Sequence, residues 1–143
     1  MNKNIDIDIL PVREKHLTEI IDILQCISKY KPSNNSFFEI WENFSSQPNY
    51  FGLVAIHKGK VVGFGSIFYL VKIRGGKMGL IEELATHKDY QNQGIASLLL
   101  KNLCNCAIKE QCYKVTLTCK ENNISFYENR TFSLEGFYLN KLL

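Results

Sequence analysis

No apolar run in this sequence comes near the ~18 residues that a membrane-crossing helix requires, so a membrane partner is not expected. The opening stretch, Met1 to Asp6, lacks the apolar core of a secretory signal, and acidic residues arrive early in it. No basic run stands out. A net charge of +3 is too small to imply a nucleic-acid partner, though a mildly basic surface suits small anions such as phosphates. The five cysteines (Cys26, Cys104, Cys106, Cys112 and Cys119) are odd in number and lack the spacing of a disulfide framework. Cys104 and Cys106, two apart, would point to different faces of a helix, which makes a poor zinc pair. His16, His57 and His87 form no grouping suited to a metal or to catalysis, and repeats, linkers and low-complexity segments are missing. These absences predict a cytoplasmic protein with reduced thiols and no metal.

What is present reads as one ordinary domain spanning residues 1–143, with 45% hydrophobic and 22% charged residues. Ile5, Ile7 and Ile9 alternate with Asp6 and Asp8, the period of a half-buried strand that Pro11 closes. Leu17, Ile20, Ile21, Leu24 and Ile27 recur at helical spacing and predict an amphipathic helix over residues 16–28. A second helix follows Asn34-Asn35-Ser36, with Phe37, Ile40, Trp41 and Phe44 on one face, and Pro48 ends it. Residues 50–57 and 61–70 read as antiparallel strands around the turn Lys58-Gly59-Lys60. Gly63 and Gly65 inside the second of these predict a bulge or a close backbone approach. A basic, glycine-containing loop (residues 72–77) leads to a strand over 78–86 and a long helix over 94–111. A strand over 113–119, a short helix over 124–129 and a final strand over 132–139 complete the chain. The order β-α-α-β-β-β-α-β-α-β predicts a single α/β or α+β domain on a mixed sheet.

The most informative stretch is Gln91-Asn92-Gln93-Gly94-Ile95-Ala96, set between a strand and a helix. A helix start offers backbone N–H groups without internal partners and a partial positive charge, and small residues there let an anion approach. The hexapeptide alone fits either a pyrophosphate site or an ordinary strand-to-helix turn. It is neither a dinucleotide fingerprint nor a P-loop, because the further glycines and the Gly-Lys-Ser/Thr ending are absent.

This turn resembles the coenzyme A pyrophosphate loop (Gln/Arg-x-x-Gly-x-Gly/Ala) of the GNAT acetyltransferase superfamily, and the element order matches that fold, whose mixed, mostly antiparallel sheet is flanked by helices. The second half resembles the glucosamine-6-phosphate N-acetyltransferase branch. The resemblance is carried by Gly76-Lys77-Met78-Gly79-Leu80-Ile81-Glu82-Glu83-Leu84, by Gln91 to Ala96, by Cys112-Tyr113-Lys114-Val115-Thr116-Leu117-Thr118-Cys119 and by Asn123-Ile124-Ser125-Phe126-Tyr127. These pieces keep the branch's order and spacing from Gly76 to Tyr127. Over the first 70 residues the similarity is weaker and rests on element order.

The resemblance implies an acetyl-CoA-dependent N-acetyltransferase for the amine of glucosamine 6-phosphate, a step in UDP-GlcNAc biosynthesis, by direct attack in a ternary complex. No metal, acyl-enzyme or nucleophilic cysteine is implied. The backbone of Leu84, Ala85 and Thr86 would pair with the pantetheine arm and polarise the thioester carbonyl. Gln91, Asn92, Gln93, Gly94, Ile95, Ala96 and Ser97 would hold the pyrophosphate, and Asn123, beside Tyr127, the arm. Glu82 and Glu83 would bind the amino sugar, Glu83 also accepting the ammonium proton directly or through water. Tyr127 would protonate the departing thiolate. The cations Lys72, Arg74, Lys77, Lys114 and Lys141 are the candidates for the sugar phosphate, Lys114 above all because it sits inside Cys112-Tyr113-Lys114, and Tyr113 is a further candidate for binding the substrate. Lys141 lies near the place of a C-terminal Arg in the branch, whose members form homodimers, so it could act on the neighbour's site.

Three departures mark a divergent member: Gln91 for the usual Arg, Thr118 for an acid, and Thr131-Phe132 for a Gly-aromatic pair. Two other readings stay open. One keeps the chemistry but takes another amine, such as a polyamine, an antibiotic or a protein N-terminus. The other is a coenzyme A-binding module without activity, against which Glu83, Tyr127 and Gly94 argue.

Overall fold

The computed structural model describes residues 4–143. A five-stranded sheet runs through it in chain order: β1 (Asp8–Pro11), β2 (Tyr50–His57), β3 (Lys60–Val71), β4 (Lys77–Thr86) and β5 (Lys114–Thr116). The first four strands pair antiparallel, and β5 joins β4 in parallel. Short connections force the antiparallel pairs. Between β2 and β3, Lys58 and Gly59 take φ of 49° and 77°, the positive values whose twist suits a two-residue hairpin. A parallel partner needs a long crossover, and α3 (Ile95–Lys109) supplies it.

Helices cover both faces. On one, Ile95, Leu99, Leu100, Leu103 and Ala107 of α3 pack on Leu53, Ala55, Val62, Ile67 and Ile81. On the other, Ile20 and Ile23 of α1 (Leu17–Leu24) pack on Val54, Val61, Phe64 and Ala85. Leu53 and Val54 therefore point to opposite layers, as a strand's period of two demands. The helix α1 stops earlier than its apolar spacing predicts, and Ile27 is left exposed. The aromatic face of α2 (Phe37–Ser45) continues into the sheet, with Phe44 edge-on to Tyr50 at 4.5 Å.

The close backbone approach expected at the β3 glycines is found. A Cβ on Gly63 would stand 2.9 Å from Ile95 Cγ2 and Leu99 Cδ1, and one on Gly65 2.9 Å from Leu103 Cδ1. The helix α3 thus lies directly on β3. A bulge falls opposite: Ser66 pairs with Glu82 and Phe64 with Ala85, so that Gly65 of β3 faces two residues of β4, Glu83 and Leu84. The extra residue in β4 is accommodated with Glu83 at φ 56°. The buried Ser66 hydroxyl donates to the Glu82 carbonyl at 3.0 Å, bracing the strand where its ladder is interrupted.

Two departures from the expected elements follow from pairing. The strand β5 is only three residues long, because its pairing with β4 ends at Leu80–Thr116, just before the bulge turns β4 away. The expected sixth strand over 132–139 does not form. Its alternating apolar residues carry strand propensity, but a strand also needs an edge to pair with. The Phe132 N–H to the Tyr127 carbonyl is the last backbone hydrogen bond among the described residues, and Leu134, Phe137, Leu139 and Leu142 beyond it are exposed. A fourth helix, α4 (Ile124–Glu128), precedes this tail. Among the described residues no helix is long and apolar enough to cross a membrane.

Candidate active site

Where β4 and β5 part, a cleft of about 1290 Å³ opens. Glu82, Glu83, Leu84, Ala85 and Thr86 form one wall; Leu117 to Lys120, Asn123, Phe126 and Tyr127 form the other. Gln91, Asn92, Gly94 and the first turn of α3 close one end, and Cys26 to Ser28, after α1, also line it. Beyond Leu80 no strand among the described residues pairs with β4 on the cleft side, so its main-chain amides there are open to a ligand's amides. Thr86 Oγ1 is buried without a partner in the same wall. An amide-bearing arm such as pantetheine fits the open edge.

The turn before α3 owes its shape to one residue. Gly94 caps the helix at φ 85°, a left-handed conformation that strains other residues, and no side chain caps the first turn. The first intrahelical bond recorded there is from Leu98 N–H to the Gly94 carbonyl, so the Ile95, Ala96 and Ser97 amides face outward unpaired. That arrangement suits a pyrophosphate. His87 steadies the preceding turn: its Nδ1 accepts the Asp89 N–H at 3.1 Å. It is a local cap, which its place before the loop did not reveal.

The two candidate catalytic groups stand on opposite walls. Glu83 retains solvent access down the cleft, yet the surrounding protein hydrates its carboxylate poorly, and this raises its pKa. The Glu82 charge beside it pushes the same way. A carboxylate of raised pKa is a stronger proton acceptor once ionised. Burial likewise raises the Tyr127 pKa, with the Cys119 thiol adding to the shift and the Arg130 charge opposing it, so the phenol keeps its proton at neutral pH. Phe126 at 5.0 Å and Phe132 at 5.8 Å hold the Tyr127 ring edge-on.

The cleft thus gathers Glu82, Glu83, Leu84, Ala85, Thr86, Gln91, Asn92, Gly94, Ile95, Ala96, Ser97, Asn123 and Tyr127. Gln93, Lys72, Tyr113, Lys114 and Lys141 do not line it. Lys114 opens β5 opposite Met78, four residues back from Glu82 and so ~13 Å down the strand. Its ammonium lies 5.6 Å from the Tyr113 ring centre, Tyr113 in turn packs near Gly76, and Lys77 pairs with Glu110 at 3.3 Å. Lys141 is exposed, next to Asn140, which does reach the cleft.

Sequence reasoning missed Lys120 and Arg130, the two cations among the described residues that line the cleft, and the tail residues Tyr138 and Asn140. Arg130 could have been found from spacing, since it falls three and four residues after Tyr127 and Phe126 and so shares their side of a helical turn. Among the described residues no group of three or more His, Cys, Asp or Glu is placed to hold a metal.

Residues 17–132 match the family described as Acetyltransferase (GNAT) family. The chain is 30% identical over 120 residues to glucosamine 6-phosphate N-acetyltransferase 1 of Dictyostelium discoideum, covering 80% of this chain and 76% of the relative. It is 32% identical over 100 residues to glucosamine 6-phosphate N-acetyltransferase of Candida albicans, covering 67% of each. The solved glucosamine-6-phosphate N-acetyltransferase of Arabidopsis thaliana superposes with a TM-score of 0.87 over 96% of this chain and 98% of its own. At 21% identity that is a likeness of fold.

Proposed function

Because this chain belongs to the acetyltransferase (GNAT) family, whose members draw on acetyl-CoA, we propose that it acetylates the amine of glucosamine 6-phosphate. Above all, β4 and β5 part where an acid, Glu83, and a phenol, Tyr127, face one cleft from opposite walls. The names of the relatives support the choice of acceptor.

In this reading the first turn of α3 binds the donor's pyrophosphate, and the open edge of β4 binds its arm and polarises the thioester carbonyl. Glu82 and Glu83 hold the acceptor's ammonium, Glu83 taking its proton so that the neutral amine can attack. Tyr127, kept protonated, hands a proton to the departing thiolate. That assistance is modest, since a thiol of pKa about 8–9 leaves fairly well as the anion. Lys72, Lys114 and Lys141, outside the cleft of a single chain, are assigned to the sugar phosphate in a homodimer, and Tyr113 to the sugar itself. The uncovered apolar tail beyond Phe132 supports that assembly. A cytoplasmic setting agrees with five unpaired cysteines.

A second reading has an observation of its own. Two carboxylates and no predicted phosphate-binding lysine line the cleft, which favours a cationic amine without a phosphate. One experiment separates the two: coenzyme A release followed with a thiol reagent, with glucosamine 6-phosphate and glucosamine side by side. Turnover with the phosphate alone supports the first reading. Equal turnover with both removes the phosphate contacts, and none with either moves the acceptor to another amine or leaves a binding module.

A further inference from the structure

The loop that faces the proposed pyrophosphate is uncharged: Gln91, Asn92 and Gln93 contribute no cation. Of the described residues lining the cleft only Lys120 and Arg130 are cationic, and they differ in how they are held. Lys120 is exposed. Arg130 is fixed from three sides. Its Nε and Nη2 both donate to Ser97 Oγ, the former at 2.8 Å, and its Nη1 donates to the Phe126 carbonyl at 2.7 Å. The guanidinium lies 3.7 Å over the Phe126 ring. No carboxylate pairs with it among the described residues.

Three of the five guanidinium donors are thereby used, which leaves one N–H on each terminal nitrogen, the spacing that matches two oxygens of a phosphate. Ser97 belongs to the first turn of α3, so the guanidinium is anchored to the very turn whose Ile95, Ala96 and Ser97 amides are unpaired. The side chain has lost its rotamer freedom and stacked on an aromatic face without meeting a counter-charge. For a surface arginine that is an unusual investment of order.

Resting on the acetyl-CoA reading above, we infer that Arg130 grips the donor's pyrophosphate, supplying from α4's end the positive charge that Gln91 does not supply from the loop. Arg130 is a cofactor-binding residue in this assignment. The competing account is that it only clips the end of α4 to α3 through Ser97.

Calorimetric titration of coenzyme A, of dephospho-coenzyme A (which lacks the 3′-phosphate) and of acetyl-pantetheine (which lacks the pyrophosphate) tests it. Arg130→Met is expected to weaken the first two alike, by about tenfold, and to leave acetyl-pantetheine unchanged. Arg130→Lys, which keeps charge but loses the fork, falls between. Adding Gln91→Arg to Arg130→Met restores part of the affinity by returning the charge through the loop. Equal weakening of acetyl-pantetheine makes Arg130 a clip and overturns the inference, as does unchanged coenzyme A affinity. Loss for coenzyme A but not for dephospho-coenzyme A moves Arg130 to the 3′-phosphate and also overturns it. If the wild-type protein binds no coenzyme A, the donor reading itself fails, an outcome distinct from the others. Thermal unfolding of each variant guards against misfolding, and Arg130→Lys serves should Arg130→Met not fold.

Discussion

The two ends of β4 behave like different materials. From Met78 to Leu80 the strand is zipped between β3 and β5, and a Cβ on Gly79 would stand 2.7 Å from Ile67 Cδ1. From Glu82 to Thr86 it has lost one neighbour, carries a residue at positive φ, sets two carboxylates side by side and leaves a buried hydroxyl unpaired. Each feature of the second end costs stability, and the open edge and the two carboxylates stand where a ligand can use them. Strain and unmet hydrogen bonds collect at the cleft because the closed end, with α3 seated on β3, is stable enough to hold them.

That division can be broken from either side. Glu83→Gln should produce the largest change in rate, lowering kcat by about 10²–10⁴-fold. Its stability should be unchanged or slightly higher near neutral pH. The folded-state pKa of Glu83 is raised, so its contribution is present at low pH and lost as pH rises through that value; glutamine removes the charge being disfavoured. The same shift sets the rate. The acid limb of kcat/KM should lie above the ordinary glutamate range and vanish in Glu83→Gln. A limb at the ordinary position would take Glu83 out of the proton transfer.

Leu99→Ala attacks the closed end, where Leu99 is fully buried beneath β3. A loss of about 2–5 kcal/mol in urea unfolding is expected, with activity per folded molecule retained. Tyr127→Phe should lower kcat about tenfold while leaving KM for acetyl-CoA unchanged, since assistance to a good leaving group is a fraction of the usual general-acid effect. Unaltered kcat would remove Tyr127 from the chemistry. The smallest effect tests the boundary: Ser66→Ala deletes the brace on the Glu82 carbonyl and should cost about 1 kcal/mol. A fall in kcat beyond that seen in stability-matched variants would show that the brace also sets the position of Glu83.

Local features read true from the sequence alone. The small residues in β3 announced a close helix, Gly94 announced a strand-to-helix turn, and the adjacent acids at the end of β4 do line a cleft. Each is written into a few neighbouring residues. What escaped depends on distant pairing. The alternating tail after Phe132 reads as a strand, but nothing in its pattern says whether an edge is within reach. The length of β5 is set by the bulge in β4, more than thirty residues earlier, so its β-branched run overstates it. Arg130 looks like a surface charge until α4 is laid against α3 and Ser97, thirty-three residues away, meets it.

The positive φ of Glu83 also governs what can be tried at that codon. Valine, isoleucine, threonine and proline are disfavoured there by backbone geometry, whereas glycine, asparagine and aspartate sit comfortably. A library randomised at this position would be thinned by conformation before any substrate was offered. The survivors would be enriched in short polar side chains, with aspartate among them. The bulge therefore acts as a filter on the descendants of this site, keeping an acid or its amide within easy mutational reach and most hydrophobes out.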